Sequence, residues 1–233
     1  MPIIQDSPNT LYILNARLSF PSLLVPQAST LGSKPRYAAT LIMEPDATEW
    51  QEMTQLMYTM YKDKWQEHAN NIANVIQGDR KLRCYGFGQE KLDANGQILD
   101  GFQDKVFITA LRKEEDGRPK LYNQQAQECA PTEPLNEMFA AGNYVNAVVS
   151  FWLQENAHGR ALRCQLVGVQ YVKEGEHFGA VEANAGEIFA PVAGAPAPTA
   201  PNGEKSKSAR KRARQRENRA RAAGDAPPGA PPA

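Results

Sequence analysis

The chain has 233 residues, 42% of them apolar and 22% charged, with 26 Lys/Arg balanced by 26 Asp/Glu. That length suits one well-cored domain with a tail. No run approaches the ~20 apolar residues of a membrane span, and the opening MPIIQDSPNT has no basic segment leading into an apolar one, so neither a membrane protein nor a secreted one is expected.

Taken in chain order, residues 1–190 read as β-rich with one long helix. Tyr12 to Phe20 alternates well enough for a first strand, and Arg36 to Glu44 forms a second, ended by Pro45. Asp46 and Glu49 have capping-box spacing. Beyond them Trp50, Met53, Met57, Tyr61, Trp65 and His68 recur at three and four residues, which predicts an amphipathic helix of about six turns. Asn70, Asn71 and Gly78 loosen its end. Further strands are predicted at Arg80 to Gly88, Lys105 to Lys113, Arg118 to Asn123 and Asn143 to Gln154. In the last of these Val145, Ala147, Val149, Phe151 and Leu153 point one way, while Tyr144, Asn146, Ser150 and Trp152 point the other. ENAHGR turns the chain into a final strand, Ala161 to Gly175. Strand and helix do not alternate regularly, which argues against a doubly wound parallel sheet. A mainly β fold with one long inserted helix, built as a small antiparallel barrel, fits better.

Composition breaks at Pro191. Residues 191–203, PVAGAPAPTAPNG, cannot bury enough apolar surface to offset their ordering entropy and are expected to be a flexible linker. Residues 204–233 hold 9 Lys/Arg against 3 Asp/Glu, whereas residues 1–203 hold 17 against 23, so the neutral total hides a basic tail behind an acidic body. The tail has no apolar side chain larger than Ala between Glu204 and Gly224 and is expected to be disordered in isolation.

Signals for catalysis are weak. There is no phosphate-cradling loop, and GFGQEK at Gly86 to Lys91 lacks the third glycine of a dinucleotide fingerprint. His68, His158 and His177 are scattered, Cys84, Cys129 and Cys164 are far apart, and Glu114, Glu115 and Asp116 sit in a turn beside Lys113. No metal site, cofactor or disulfide framework is expected, and the thiols suit a reducing, cytoplasmic setting.

Strands that interleave aromatic and basic residues are the stronger signal, because an unpaired nucleic-acid strand needs flat rings for its bases and cations for its phosphates. Lys34, Arg36 and Tyr37 open the second strand; Arg83, Tyr85 and Phe87 alternate onto one face; Lys105 and Phe107 share a face with Arg112 at its end; Lys120 and Tyr122 share another. Trp152 turns away from the apolar side of its strand. Each of these also has a plain structural reading, as half-core rings and strand-edge charges. In the tail Lys205, Lys207, Arg210, Lys211, Arg212, Arg214, Arg216, Arg219 and Arg221 form an arm that would add sequence-independent, salt-sensitive affinity for a polyanion. Two other classes fit less well: a small Mg²⁺-dependent nuclease, and a structural or assembly protein with a nucleic-acid-binding tail.

Three segments, NARLSFPSLLVP, KPRYAATLIMEPDATEW and AAGNYVNAVVSFWLQENAHGRALRCQLVGVQYVKEGEHFG, carry a resemblance. In their order and spacing they resemble the OB-fold single-stranded DNA-binding proteins of tailed bacteriophages, over Ala16 to roughly Phe189. The resemblance implies an OB barrel that coats single strands during phage replication or recombination in the host cytoplasm, as a homodimer or larger assembly, in company with phage replication or recombination proteins. The chain departs from that family in its middle segment, GDRKLRCYGFGQEKLDANGQ, and in ending on a basic rather than an acidic tail.

Overall fold

The computed structural model describes residues 8–28, 32–130, 132–157 and 159–178. Its first strand is longer than its pattern predicts: β1 runs Thr10–Gln27. Alternation is broken inside it because Asn15 and Phe20 take positive φ, 52° and 46°, at points where the pairing register shifts. Such bulges bend a strand and let it serve two neighbours in turn. β1 pairs antiparallel with β2 (Arg36–Met43) over its second half and with β6 (Tyr144–Asn156) over its first.

β2 leads into α1 (Thr48–Trp65). Its N-cap is Ala47 with no side-chain cap bond, so the expected capping box does not form. The helix breaks at Gln66, where φ is 46°, passes through one 3₁₀ turn and resumes as α2 (Ala69–Gly78), beyond the point where the asparagines were expected to fray it. Next come β3 (Tyr85–Phe87), β4 (Val106–Lys113) and β5 (Lys120–Tyr122), a one-turn α3 (Leu135–Met138), and β6 hairpinned to β7 (Gly159–Lys173). β3 is only three residues long, much less than the predicted strand from Arg80 to Gly88.

Hydrogen bonding closes five strands into a ring. β1 pairs with β2, β2 with β4, β4 with β7, β7 with β6, and β6 back to β1. The β4–β7 contact, Leu111 opposite Gln165, is parallel and the others in the ring are antiparallel. A five-stranded Greek-key ring of this kind is an OB-type barrel. Its interior is filled by the inward residues of the alternating strands, among them Ile13, Leu18, Leu41, Ile108, Phe151 and Leu166. The helix stripe of Met53, Met57, Tyr61, Trp65, Ile72 and Ile76 joins the same core, each large side chain contributing roughly 1.5–3 kcal/mol.

A second, smaller core lies on the outside of the sheet. The loop between β3 and β4 folds back so that Phe102 covers Ile42 and Phe107, with Ile98, Leu99 and Phe178 around them. This roof hides the outward face of β2 and β4 near Met43 and leaves it open toward Arg36 and Lys113.

Candidate nucleic-acid interface

Directly opposed residues of an antiparallel pair share a face. The β2–β4 register sets Arg36 against Lys113, Ala38 against Leu111, Thr40 against Thr109 and Ile42 against Phe107. These pairs point outward, because the intervening Ala39–Ala110 and Leu41–Ile108 pairs are fully buried in the barrel. On the neighbouring hairpin Trp152 lies opposite Arg163, also outward. Between β4 and β7 the ring is propped by residues 82–84: Leu162 N–H donates to Leu82 at 2.8 Å and Thr109 N–H donates to Cys84 at 2.7 Å.

A cleft of about 480 Å³ opens over this junction, between Arg36, Thr109, Leu111, Lys113 and Asp116 on one side and Trp152, Arg163 and Gln165 on the other. Cys84 and Cys164 line it. Burial, and then the neighbouring Cys84 thiol, push Cys164 well above the usual thiol range, so it contributes no negative charge there. Cationic groups dominate the rim. The Arg36 guanidinium is exposed and forms no ion pair among the described residues. Arg163 donates to Gln154 Oε1 at 3.1 Å and to the Lys81 carbonyl at 2.8 Å, again with no carboxylate partner among them. Burial lowers the pKa of Arg163, and the proximity of Arg36 acts in the same direction. A guanidinium keeps its proton under such pressure, so two cations lie near one another with no carboxylate paired to either among the described residues, Asp116 being the acidic residue that lines the cleft. Trp152 stands 46% exposed beside them. Farther along the same hairpin Glu155 accepts from Arg160 at 2.7 Å and from the Trp65 indole at 3.2 Å, tying the hairpin to the helix.

The other predicted residues divide. Lys34 is exposed at the entry to β2, and Tyr37 is half-buried opposite Arg112. Arg83 lines the cleft but is buried, bonded to Glu90 at 2.7 Å and to the Tyr85 carbonyl at 2.7 Å; its Nε–H has no acceptor among the described residues. Arg83 precedes β3 and its guanidinium lies over the Tyr85 ring, 5.2 Å from the centroid; the Tyr85 and Phe87 rings pack edge-on against Trp50 of α1, with Phe87 still 40% exposed. Phe107, expected as a stacking ring, is 7% exposed and lies edge-on to Phe102 at 5.6 Å. Arg112 is likewise a structural residue, its donors spent on the carbonyls of Asp116, Gly117 and Leu166. Lys105 is paired with Glu44 at 2.7 Å. Lys120 and Tyr122 lie on β5, which pairs with β7 at Gly168 to Gln170, and neither lines the cleft. Lys205, Lys207, Arg210, Lys211, Arg212, Arg214, Arg216, Arg219 and Arg221, together with the linker 191–203, lie outside the described residues.

Arg163 was missed at the sequence level, although the alternation that turned Trp152 outward also turns out its cross-strand partner. Among the described residues no three His, Cys, Asp or Glu side chains come together as a metal site, and no helix is long and apolar enough to cross a membrane.

An OB-type barrel that sets unpaired guanidinium groups beside an open indole has the make-up of a single-strand nucleic-acid binder. Comparison with known proteins agrees. The family described as Enterobacter phage Enc34, ssDNA-binding protein, matches residues 10–196, and the chain belongs to it, a family of binding proteins rather than enzymes. Among solved structures, the single-stranded DNA-binding protein from bacteriophage Enc34 in complex with ssDNA aligns with a TM-score of 0.58 at 21% identity, over 73% of this chain and 90% of that one. Another structure of that phage protein aligns at 0.55 and 19% identity, over 77% and 89%. No curated protein sequence matches the chain.

Proposed function

We propose that this protein coats unpaired DNA during phage replication or recombination, in the cytoplasm of an infected host, and that the strand enters the cleft between Arg36 and Trp152. A base stacks on the Trp152 indole while Arg36, Arg163 and Lys113 take phosphates on either side. The observation that carries the reading is the Arg36–Arg163 pair, two neighbouring guanidinium groups with no carboxylate partner among the described residues, beside an open ring. The body of residues 1–190 supplies this site. The tail from Glu204 onward, tethered by residues 191–203, adds contacts that depend on charge alone. Lys34 and Tyr37 extend the rim, and self-association into a dimer or larger assembly, with phage replication or recombination proteins as partners, belongs to the same reading.

The test is incubation of the full chain with labelled single-stranded DNA, duplex DNA and RNA, with Mg²⁺ present. A mobility shift strongest for single-stranded DNA, without cleavage, supports the reading. Cleavage, or no preference for the unpaired strand at low salt, overturns it.

A further inference from the structure

Outside the cleft, one aromatic residue stands open on the same outward face. Phe20 is 54% exposed on a backbone held at φ 46°, a conformation that costs a non-glycine residue energy and turns its ring out of the strand. The ammonium group of Lys91 lies over that ring, 5.3 Å from its centroid, and over Phe107 at 4.8 Å. Burial between the rings lowers the pKa of Lys91, and Arg80 lowers it further. The adjoining carboxylate of Glu90 opposes this, but it is bonded to Arg83 at 2.7 Å. Lys91 is therefore a partly desolvated cation with no carboxylate bonded to it among the described residues.

We propose that Phe20 and Lys91 form a second contact for the DNA strand held in the Trp152 cleft, Phe20 stacking a base and Lys91 taking the adjoining phosphate. The inference rests on the cleft reading above and extends its path. Continuity supports it: Glu90, which bonds the cleft residue Arg83, and the Phe107 ring under Lys91 would both crowd a Cβ at Gly86. Ile42, which packs with Phe107, lies six residue steps along β2 from Arg36, at the cleft. At about 3.4 Å per strand residue that is roughly 20 Å, the length of about six stacked nucleotides at ~3.4 Å each. Charge fixes the kind of occupant, since an unpaired ammonium beside an open ring suits a phosphate next to a base.

The test uses the full chain and oligothymidylates from about four to about sixteen nucleotides, the span of OB-fold site sizes. Wild-type affinity should climb until the strand bridges both contacts. Phe20→Ala should lower affinity for the longest strand by at least about fivefold, the loss of one stacked base, and leave the shortest unchanged; Phe20→Tyr should restore it. Lys91→Gln, which leaves the strained backbone alone, should weaken only the longer strands and make the salt slope shallower by about 0.7. If both variants bind the longest strand like wild type while Trp152→Ala weakens every length, the second contact is wrong and the cleft stands. If Trp152→Ala changes nothing at any length, the cleft and the extension fall together.

Discussion

Arg83 Nη2 and Glu90 Oε1 lie 2.7 Å apart with side chains only 5% and 22% exposed, and they close a segment that contains β3 and lines the cleft through Arg83 and Cys84. A buried guanidinium costs several kcal/mol to desolvate unless a carboxylate and further acceptors meet it. Here Glu90 and the Tyr85 carbonyl do so. Glu90→Ala leaves that charge stranded, and the expected loss is about 3–5 kcal/mol of folding free energy, read as a shift in the urea midpoint. A loss under about 1 kcal/mol would mean that water already satisfies Arg83.

Gly88 is required by close approach. Its N–H donates to the Lys105 carbonyl at 2.7 Å, and a Cβ on it would overlap the backbone carbonyl of Phe102. Backbone cannot rotate away as a flexible side chain can, so Gly88→Ala should displace the loop that roofs Ile42 and Phe107. Overpacking of this kind costs about 1–3 kcal/mol. Thermal unfolding should register it, and an unchanged midpoint would contradict the packing described.

Glu155 couples the β6–β7 hairpin to pH. The bond from Arg160, then the one from the Trp65 indole, hold its carboxyl below the usual glutamate value of about 4.3. A carboxylate with a lowered folded pKa stabilises the fold above the ordinary value, and that contribution disappears as pH falls through the folded one. Wild-type stability should therefore decline as pH falls below about 5 more steeply than that of Glu155→Gln, which cannot titrate. Denaturation midpoints across that range check the sign. Parallel curves would show that the hairpin does not rest on this group.

The tail should act through charge alone. Deleting residues 204–233 removes nine Lys/Arg and three Asp/Glu. Affinity for all single strands should drop to a similar degree, and the plot of log affinity against log salt should flatten by about 0.7 for each phosphate that the tail no longer neutralises. Fluorescence titration at several salt concentrations reads this. An unchanged slope would assign the tail to a protein partner or to solvent.

Much of the barrel was legible in the sequence, because β6 alternates cleanly: Val145, Ala147, Val149 and Phe151 go in and Trp152 goes out. The helix stripe was equally plain, although its continuation past Gln66 through a positive-φ kink leaves no mark in a 3.6-residue pattern. The site was legible in part. Arg36 and Trp152 lie on regular strands, where period-two counting holds. Phe20 was hidden because bulges at Asn15 and Phe20 reset the count, so the residue that ended the predicted strand is an outward ring in the middle of the real one. Counting also failed for Phe107 and Arg83. Phe107 does point outward, but the loop carrying Phe102 returns to cover it. Arg83 lies before the strand it was assigned to and finds its carboxylate in the next loop. Roofs and loop-borne partners are tertiary facts, which a local pattern does not carry.

The cleft itself is tested most directly by titrating full-length wild type, Trp152→Ala and Arg36→Gln with a long oligothymidylate and with duplex DNA of the same length. Both side chains are exposed and neither forms an ion pair or hydrogen bond through its side chain among the described residues, so the fold should survive each change. Trp152→Ala should cost about 1–3 kcal/mol of single-strand affinity, and Arg36→Gln should weaken binding with a salt slope shallower by about 0.7, while the weaker duplex binding changes little. Wild-type affinity for single strands in both folded variants would contradict the cleft as the place where DNA binds.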